Sequence, residues 1–274
     1  MDTIAQIRQT IAEEFRQFEN LYEQTMRSEN VVLDQVLRYI SAKRGKQLRP
    51  TLVLLAAKLC REVSDKSVRT AVAMEMLHNA TLMHDDVVDE SDTRRGHESV
   101  RHHWSNQVAV LCGDYYLAQV MQKLQFVGNP EASKLVARTV STMCQGELKQ
   151  LSMTSRKEVT LDDYLDIIGA KTASLMALCC ELGAMPLTDQ NKKDYSKAMY
   201  DFGYHYGLVF QIRDDLHDIL SPHDIAFPAD FDAESLIDQF SKKAMQALDI
   251  LPQSTAKEAL GKLLLPSAPS PDNT

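Results

Sequence analysis

The sequence predicts an all-α protein, and three features of its 274 residues carry this prediction. Apolar residues recur every three or four positions along most of the chain, as they do on one face of a helix. Glycine and proline, which punctuate turns, number only 10 and 9, and glycine is at about half of its average usage. No Asn-Gly or Asp-Gly pair is present to close a tight hairpin.

The apolar periodicity places the helices in chain order. Ile4, Ile7 and Ile11 begin the first apolar face, which continues to Leu21. Pro50 suits the first turn of its helix, where a backbone N–H is not needed. Helices are expected over residues 3–25, 31–43, 50–62, 65–89, 105–126, 131–153, 161–184, 188–219 and 233–248. Residues 1–265 are expected to form a single domain, and the Pro/Ser-rich residues 266–274 a disordered tail.

Net charge and cysteine spacing exclude several classes of protein. With a formal net charge of -8 and a pI of about 5.5, the chain lacks the basic surface of nucleic-acid binders, so no nucleic-acid partner is expected. The five cysteines are an odd number without C-x-x-C spacing, which indicates buried thiols in a reducing compartment. The N-terminus lacks a signal-peptide pattern, and no apolar run approaches the ~20 residues that span a bilayer. The cytoplasm is the expected location, with no transmembrane segment.

An acidic motif closes the apolar helix expected over 65–89. It reads Asp85-Asp86-Val87-Val88-Asp89, and five acidic residues fall within eight positions there. On a helix Asp85 and Asp89 are four residues apart, so their carboxylates share one face. Such a pair suits Mg²⁺, which proteins commonly hold through one or two carboxylates together with substrate phosphates. A solvated acidic helix end is the alternative explanation, and this motif alone does not decide between the two.

A second acidic motif repeats the D-D-x-x-D spacing at Asp214-Asp215-Leu216-His217-Asp218. Two copies are much harder to attribute to chance than one. Glycine inside a helix costs about 1 kcal/mol relative to alanine, so Gly203 and Gly207 indicate that a helix or a ligand packs close to them. Two helices with such stripes, if they face one another, would enclose a cavity with carboxylates at one mouth. The stripes are His78, Thr81, Leu82, Asp85 and Asp89 on the first helix, and Gly203, Gly207, Gln211, Asp214 and Asp218 on the second.

Basic residues near the acidic motifs are candidates for binding an anion. Lys46 and Arg49 lie at a helix start, where backbone N–H groups also favour anions. Arg94 and Arg95 follow the first motif, and their two-nitrogen forks suit phosphate, although a solvated pair is the alternative. Lys171 lies in a stretch without other charged residues, and a side chain directed into a polar cavity is favoured over one that snorkels to the surface.

Together these residues resemble the trans-isoprenyl diphosphate synthases, also called polyprenyl synthases. The resemblance implies an all-α, isoprenoid-synthase-type helical bundle around a deep central cavity. It also implies condensation of isopentenyl diphosphate onto an allylic diphosphate, Mg²⁺ as cofactor, and a homodimer, with a heteromer as the alternative. The matching motifs are Lys46-x-x-Arg49-Pro50, His78 followed by His84 and the first acidic motif, Arg94-Arg95-Gly96, Gly113-Asp114, Lys171-Thr172, and Phe210-Gln211 followed by the second acidic motif.

The resemblance implies a role for each candidate residue. The expected metal ligands are Asp85, Asp86, Asp89, Asp214, Asp215 and Asp218. The allylic diphosphate would be held by Arg94, Lys171 and Gln211, and isopentenyl diphosphate by Lys46, Arg49, His78 and Arg95. The expected catalytic residues are Lys171, Thr172, Gln211, Asp85 and Asp214. Metal ions and cationic side chains would neutralise the departing diphosphate, and oxygen atoms of Lys171, Thr172 and Gln211 would stabilise the allylic cation.

The resemblance also bears on the length of the product. In this family, bulky aromatic residues four and five positions before the first acidic motif stop chain growth. Those positions hold the small residues Thr81 and Ala80 here. A long polyprenyl product is therefore expected, and Ala80→Phe is expected to shorten it.

The sequence departs from the family pattern after Asp218. The family's lysine-containing loop and Thr-Leu-Pro are absent, no lysine occurs between Lys197 and Lys242, and C-terminal helices are expected to be missing. Three functions follow: an active long-chain synthase, which is favoured; a non-catalytic or regulatory subunit of a heteromeric synthase; and a terpene-cyclase-like enzyme. A cyclase needs no second diphosphate site, so the predicted isopentenyl diphosphate residues argue against the third.

Overall fold

The structure is a computed structural model that describes residues 3–153, 159–186, 194–217, 228 and 231–265. The described chain is helical nearly throughout, and one short antiparallel pair, β1 (Thr93–Arg94) and β2 (His97–Glu98), interrupts the helices. The all-α prediction is therefore confirmed. The helices are α1 (Thr3–Gln9), α2 (Ala12–Thr25), α3 (Val31–Ala42), α4 (Leu48–Cys60), α5 (Asp65–Val88), α6 (Val100–His103), α7 (Asn106–Val127), α8 (Pro130–Met153), α9 (Leu161–Ile168), α10 (Ser174–Ala184), α11 (Ser196–His217), α12 (Ala233–Leu248) and α13 (Thr255–Leu263).

Two compact units make up the chain, and each contains one of the two acidic motifs. The first unit carries Asp85 and its neighbours, and the second carries Asp214. Both are assembled from separate stretches of chain: the first unit from Ile11–Leu54 and Val63–Asn129, and the second unit from Met1–Thr10, Leu55–Glu62 and Pro130–Thr274.

Helix α5 is the centre of the first unit. Every residue from Thr70 to Ala80 is buried, and the helix packs against α2 and α7. A capping box formed by Ser64 and Ser67 satisfies backbone N–H groups of its first turn. A helix anchored along this length gives the acidic motif at its C-terminal end a fixed position.

A long helix with an internal π turn is the centre of the second unit. Helix α9 continues through a π-helical turn at Gly169–Ala173 into α10, and both α8 and α11 pack against this turn. Turns of this kind are frequent at functional sites, and this one contains Lys171 and Thr172. The whole helix, Leu161–Ala184, is long and apolar enough to cross a membrane, but 78% of its most apolar window is buried inside the protein, as in a core helix.

Most predicted helices agree with the structure to within two residues at either end, but two do not. The helix predicted over 188–219 begins at Ser196, and Asp194 and Tyr195 before it are not helical. The other exception is the first helix, predicted over 3–25. The segment predicted as one helix is two helices, α1 and α2, separated at Thr10 and Ile11. Ile7, Ile11 and Phe15 are all buried. The apolar periodicity therefore continues through the break, which is why the sequence pattern did not reveal it. Helices α6 and α13 were not predicted, and residues 188–193, 218–219 and 266–274 lie outside the described residues.

The absence of Asn-Gly and Asp-Gly pairs wrongly argued against a tight hairpin. Arg95 and Gly96 form a two-residue turn between β1 and β2, with φ angles of 53° and 71°. Both residues of such a turn need a positive φ, which asparagine, aspartate and glycine adopt most readily. Arginine rarely adopts it, so the backbone strain falls on a residue predicted to bind substrate.

Candidate active site

The first acidic motif leaves two carboxylates accessible at the end of α5. Asp85 and Asp89 are both partly exposed, and the Asp89 backbone N–H donates to the Asp85 carbonyl over 2.8 Å, so they lie one helical turn apart. Carboxylate oxygens are ligands that Mg²⁺ prefers. Among the described residues, no three His, Cys, Asp or Glu side chains are grouped so that they could hold a metal ion by themselves. A magnesium ion here would need further ligands, and substrate phosphates are the usual ones.

Asp86 has a different environment from Asp85 and Asp89. Its side chain is only 4% exposed, and its Oδ1 atom accepts hydrogen bonds from Arg94 Nε at 2.8 Å and Nη2 at 2.5 Å. Burial raises the pKa of the Asp86 carboxyl, while the Arg94 charge opposes that shift. The structure therefore pairs a predicted metal ligand with a predicted diphosphate-binding arginine, and Asp86 fixes the position of Arg94.

Arg95 extends from the hairpin toward the segment between α3 and α4. Its Nη2 atom lies 3.4 Å from His78 Nε2. Its guanidinium lies directly against Gly45, where an added Cβ atom would be 2.5 Å from Arg95 Cζ. Any side chain at position 45 would displace this guanidinium, so Gly45 is what permits the contact with His78.

His78 is buried among cations. Burial lowers the pKa of its imidazole well below the ordinary value, and the charges of Arg49, Arg95 and Arg94 lower it further. The imidazole is therefore uncharged at neutral pH. The structure thus brings together three of the four residues predicted to hold isopentenyl diphosphate, Arg49, His78 and Arg95, while Lys46 lies exposed two positions before α4.

The segment before α4 contains a strained residue that the sequence did not indicate. Gln47 has a φ of 42°, which is unusual for a residue with a side chain. It is 7% exposed, and its Nε2 atom is buried without a hydrogen-bond partner among the described residues. Backbone strain and an unsatisfied buried donor in one residue are typical of functional segments.

The two predicted chain-length positions differ in burial. Ala80 is 0% exposed and belongs to the packed side of α5. Thr81 is partly exposed, and its hydroxyl donates to the His78 carbonyl over 2.9 Å. Thr81 therefore lies on the accessible face of α5, together with Leu82 and Asp85.

In the second unit, Lys171 contacts polar residues of α8. Its Nζ atom lies 2.8 Å from Glu147 Oε2 and donates to Gln150 Oε1 over 3.2 Å. The Lys171 side chain is 30% exposed, so it neither reaches bulk solvent fully nor lies in an apolar core. Glu147 is 15% exposed at its side chain and is the counter-ion that holds Lys171 in this position.

A chain of hydrogen bonds links the π turn to the second acidic motif. Thr172 Oγ1 donates to Gln211 Oε1 over 2.7 Å, and Gln211 Nε2 donates to Asp215 Oδ1 over 2.6 Å. The Tyr164 hydroxyl donates to Asp215 Oδ2 over 2.5 Å. Asp214 is exposed, and Asp218 lies outside the described residues. Three predicted residues, Thr172, Gln211 and Asp215, are therefore in direct contact.

Gly203 and Gly207 allow α11 to approach α10 and the π turn. A Cβ atom on Gly207 would lie 2.5 Å from Ala173 Cα, and one on Gly203 would lie 2.7 Å from the Met176 carbonyl oxygen. Of the two explanations that the sequence left open, a helix packs against these glycines, and a ligand does not occupy that space.

Sequence reasoning missed Glu147, Gln150 and Tyr164. Glu147 and Gln150 are three residues apart, so they share one face of α8. That spacing is a weak signal, because charged and amide residues are common on any exposed helix. Tyr164 gave no signal, since a tyrosine at an apolar position is ordinarily a core residue, and Tyr164 is indeed 1% exposed.

Comparison with known proteins places this molecule in an established class. Its helical architecture is the isoprenoid synthase fold: a decaprenyl diphosphate synthase from Rhodobacter capsulatus matches with a TM-score of 0.85 and 27% identity, over 95% of this chain and 97% of that one. A polyprenyl synthase from Caulobacter crescentus, complexed with calcium and isoprenyl diphosphate, shares the fold with a TM-score of 0.87 and 24% identity, over 96% of both chains.

The sequence itself identifies the family. Residues 30–226 match polyprenyl synthetase, and the chain belongs to that family. It is 36% identical over 208 residues to a heptaprenyl diphosphate synthase component 2 of Geobacillus stearothermophilus. This match covers 76% of the present chain and 64% of the relative, so the chain spans less than two thirds of that relative's length.

Proposed function

We propose that this chain is a trans-polyprenyl diphosphate synthase, a prenyltransferase that condenses isopentenyl diphosphate head-to-tail onto an allylic diphosphate. The observation that carries the proposal is the group of arginines around neutral His78, in the same unit as Asp85 and Asp89. Cations gathered in this way repel one another, and a diphosphate would stabilise them through charge-assisted hydrogen bonds. The names of the relatives, heptaprenyl and decaprenyl diphosphate synthase, support a long product.

In the first unit, Lys46, Arg49, His78 and Arg95 bind isopentenyl diphosphate. Arginine offers a planar fork of donors to phosphate oxygens, whereas lysine acts as a point charge. Because His78 is neutral, the positive charge of this group comes from the arginines and Lys46. Binding the substrate at its diphosphate holds its double bond in one place, which replaces a random encounter by a positioned one.

Ionisation of the allylic diphosphate is the difficult step, and Arg94, Lys171 and Gln211 assist it. Their positive charges and amide donor offset the negative charge that grows on the leaving diphosphate. Carbonyl and side-chain oxygen atoms of Lys171, Thr172 and Gln211 stabilise the allylic cation. The isopentenyl double bond attacks this cation, and the released diphosphate accepts the proton that the new product loses.

Magnesium is the cofactor that fits the acidic residues. The accessible carboxylates of Asp85 and Asp89 provide hard oxygen ligands one helical turn apart. When bound, Mg²⁺ would neutralise the diphosphate and make it a better leaving group. The other proposed ligands are Asp86, Asp214, Asp215 and Asp218.

The proposed assembly is a homodimer in the cytoplasm. Helix α7 exposes apolar side chains, with Leu111 and Met121 each 68% exposed and Val110 40% exposed. From Trp104 to Gln122 the only charged residue is Asp114. Exposed apolar patches of this kind mark interaction sites, and a second copy of the chain offers a matching surface through two-fold symmetry.

The alternative is a non-catalytic or regulatory subunit of a heteromeric synthase. One observation favours it: no lysine occurs between Lys197 and Lys242, where the resemblance implies a lysine-containing loop. The component 2 names of relatives from Geobacillus stearothermophilus and Bacillus subtilis hint at a heteromer, but they do not favour a non-catalytic role for this chain. The retention of both acidic motifs, Lys171 and Gln211 argues for catalysis by this chain.

One incubation separates these functions. The purified protein is mixed with Mg²⁺, farnesyl diphosphate and labelled isopentenyl diphosphate, and the products are sized. Label in a long chain supports the synthase, a hydrocarbon without label indicates a cyclase, and no turnover favours the subunit. Asp85→Asn should abolish incorporation, whereas Asp238→Asn, at an exposed carboxylate of α12, should leave it unchanged.

A further inference from the structure

A small cavity lies within the first unit, between α3, α5 and the hairpin. Its volume is about 60 Å³, well below the roughly 300–1,000 Å³ of pockets for drug-sized ligands. A long polyprenyl chain does not fit such a space, but a small ligand or one end of it does. Apolar side chains form one wall, Ile40, Leu82, Met83 and Val100, and charged side chains surround the rest.

Two cations that line this cavity have no carboxylate within 4.0 Å among the described residues; the hydrogen bond from His103 lowers the pKa of Glu98, and the charge of Lys43 adds a smaller contribution. Asp86 is already bound by Arg94, and Glu98 Oε2 lies 2.6 Å from His103 Nδ1. The remaining cations of the lining are Lys43 and Arg95. Neither forms an ion pair within 4.0 Å among the described residues, and the contact of Arg95 is with neutral His78.

Lys43 rests on an aromatic ring. Its Nζ atom lies 3.5 Å from the centroid of the Tyr39 ring. Tyr39 is itself held in place: its hydroxyl donates to the Glu98 carbonyl over 2.7 Å, and its ring stacks on His103 with centroids 4.9 Å apart. The ring is thus a fixed platform that keeps the Lys43 ammonium at the edge of the cavity.

The Lys43 ammonium can readily leave the Tyr39 ring to contact an anionic ligand. A cation on an exposed aromatic ring is held weakly, and a hydrogen bond to a phosphate oxygen is stronger. The lysine side chain is long and flexible, so a small movement transfers its ammonium from the ring to a ligand. Of the four residues proposed to bind isopentenyl diphosphate, only Arg95 lines this cavity, and Lys43 lines it as well, so Lys43 can share the charge of a diphosphate bound there.

We propose that Lys43 is a further substrate-binding residue, which contacts the diphosphate of isopentenyl diphosphate together with Arg95. The small apolar wall suits a five-carbon group, and the two cations suit its diphosphate. This inference rests on the proposed function, because isopentenyl diphosphate is the substrate assigned there.

Direct binding tests the inference without turnover. The full chain carries a single tryptophan, Trp104, whose ring lies 5.1 Å from that of Tyr39, so its fluorescence reports changes at this platform. Isopentenyl diphosphate is titrated without an allylic substrate, followed by Trp104 fluorescence and by calorimetry. We expect Lys43→Gln to weaken binding about tenfold, as for loss of one charge-assisted hydrogen bond, and Lys43→Arg to retain most of the affinity.

Inorganic diphosphate serves as a second probe, and Lys242→Gln, an exposed lysine of α12 that pairs with Asp238, is the charge-matched control. Lys43→Gln should weaken the binding of both ligands, and Lys242→Gln of neither. In steady-state assays the KM for isopentenyl diphosphate should rise about tenfold, while the KM for the allylic substrate and the melting temperature stay unchanged.

The outcomes separate the inference from the proposed function. If Lys43→Gln binds isopentenyl diphosphate within twofold of wild type, the inference is wrong even when wild type condenses the substrates. If wild type binds the ligand through Lys43 but never turns it over, the inference stands and the proposed catalytic activity fails. If wild type does not bind isopentenyl diphosphate, both fail.

Discussion

The imidazole of His78 is buried among arginines, and this arrangement fixes its protonation state. Burial and the charges of Arg49, Arg95 and Arg94 hold its pKa well below the ordinary value of about 6.5. In the unfolded chain the same group takes up a proton near that ordinary value. Below about pH 6.5 the unfolded state therefore binds more protons than the folded state, and acid destabilises the fold.

We expect His78→Gln to remove this part of the acid sensitivity. Above about pH 6.5 His78 has no effect on how the free energy of unfolding changes with pH. Below about pH 6.5 it lowers the free energy of unfolding by about 1.4 kcal/mol for each pH unit, until the folded-state pKa is reached. Urea unfolding at pH 5.5 and pH 7.5 measures the difference. Wild type and the control His97→Gln, at an exposed histidine of β2, should lose about 1.4 kcal/mol more than His78→Gln. Equal losses in all three proteins would contradict this expectation.

Tyr164 holds the second acidic motif in place. Its hydroxyl donates to Asp215, and burial, followed by the Asp215 carboxylate, raises the pKa of Tyr164. Hydrogen bonds to charged groups contribute about 1.5–3 kcal/mol, so Tyr164→Phe should lower the free energy of unfolding by that amount. Tyr115→Phe, at a partly exposed tyrosine without a side-chain hydrogen bond among the described residues, should change it little. Equal stability of both variants would show that the Tyr164 hydroxyl contributes nothing.

The residues of the candidate site could be predicted from their spacing, but their partners could not. The D-D-x-x-D spacing and the Lys46-x-x-Arg49 pair indicated which positions matter. Whether a carboxylate meets solvent or an arginine depends on contacts between distant parts of the chain. The pairing of Asp86 with Arg94, and of Lys171 with Glu147, is of this kind.

At the scale of elements, the close approach of α11 to the π turn depends on glycine. An added Cβ on Gly207 would meet the Ala173 backbone at 2.5 Å, which rigid neighbours cannot relieve. Overpacking costs about 1–3 kcal/mol, which exceeds the helix-propensity gain of about 1 kcal/mol. Gly207→Ala should therefore destabilise the protein. Gly261→Ala in α13, where the nearest atom would be 3.6 Å away, should be neutral or stabilising by up to about 1 kcal/mol.

These two variants are compared by chemical unfolding. Both introduce the same methyl group inside a helix, so the difference between them isolates the packing against Ala173. A Gly207→Ala protein as stable as Gly261→Ala would mean that α11 and the π turn can move apart without cost.

Helix α5 offers two positions for testing the proposed control of product length. A phenylalanine at Thr81 enters the accessible face of the helix, so it should shorten the product with little effect on stability. Ala80→Phe should also shorten it, but the ring must enter a packed core at a cost of about 1–3 kcal/mol. Product sizing and melting temperatures measure both effects, with Thr255→Phe at the exposed start of α13 as the control. Products of unchanged length from a folded Thr81→Phe enzyme would rule out this role.

The helices themselves were largely predictable because apolar periodicity and burial coincide in them. α12, for example, begins and ends where its pattern does, at Ala233 and Leu248. Features that change backbone geometry without changing the period were not predictable. The break at Thr10–Ile11 and the π turn at Lys171 are both of this kind, since buried residues continue on either side of each.

At the scale of the whole molecule, the two units divide the predicted chemistry between them. The first unit holds Asp85 and the group around His78, and the second holds Lys171 and the Thr172–Gln211–Asp215 contacts. The proposed reaction needs both sets of residues. That the two helices with acidic motifs face one another stays a prediction from the sequence.

The exposed apolar face of α7 gives the last prediction, which concerns the assembly of the molecule. An arginine at Leu111 would place a charge in the proposed interface, and burying an unpaired charge is unfavourable. We expect wild type to have twice the 30.9 kDa mass of one chain in light scattering after size exclusion, and Leu111→Arg to have the mass of one. Ile250→Arg, at an apolar residue 59% exposed after α12, should leave the mass of two chains unchanged. If wild type has the mass of one chain, or if Leu111→Arg still has the mass of two, α7 does not form the interface of a homodimer.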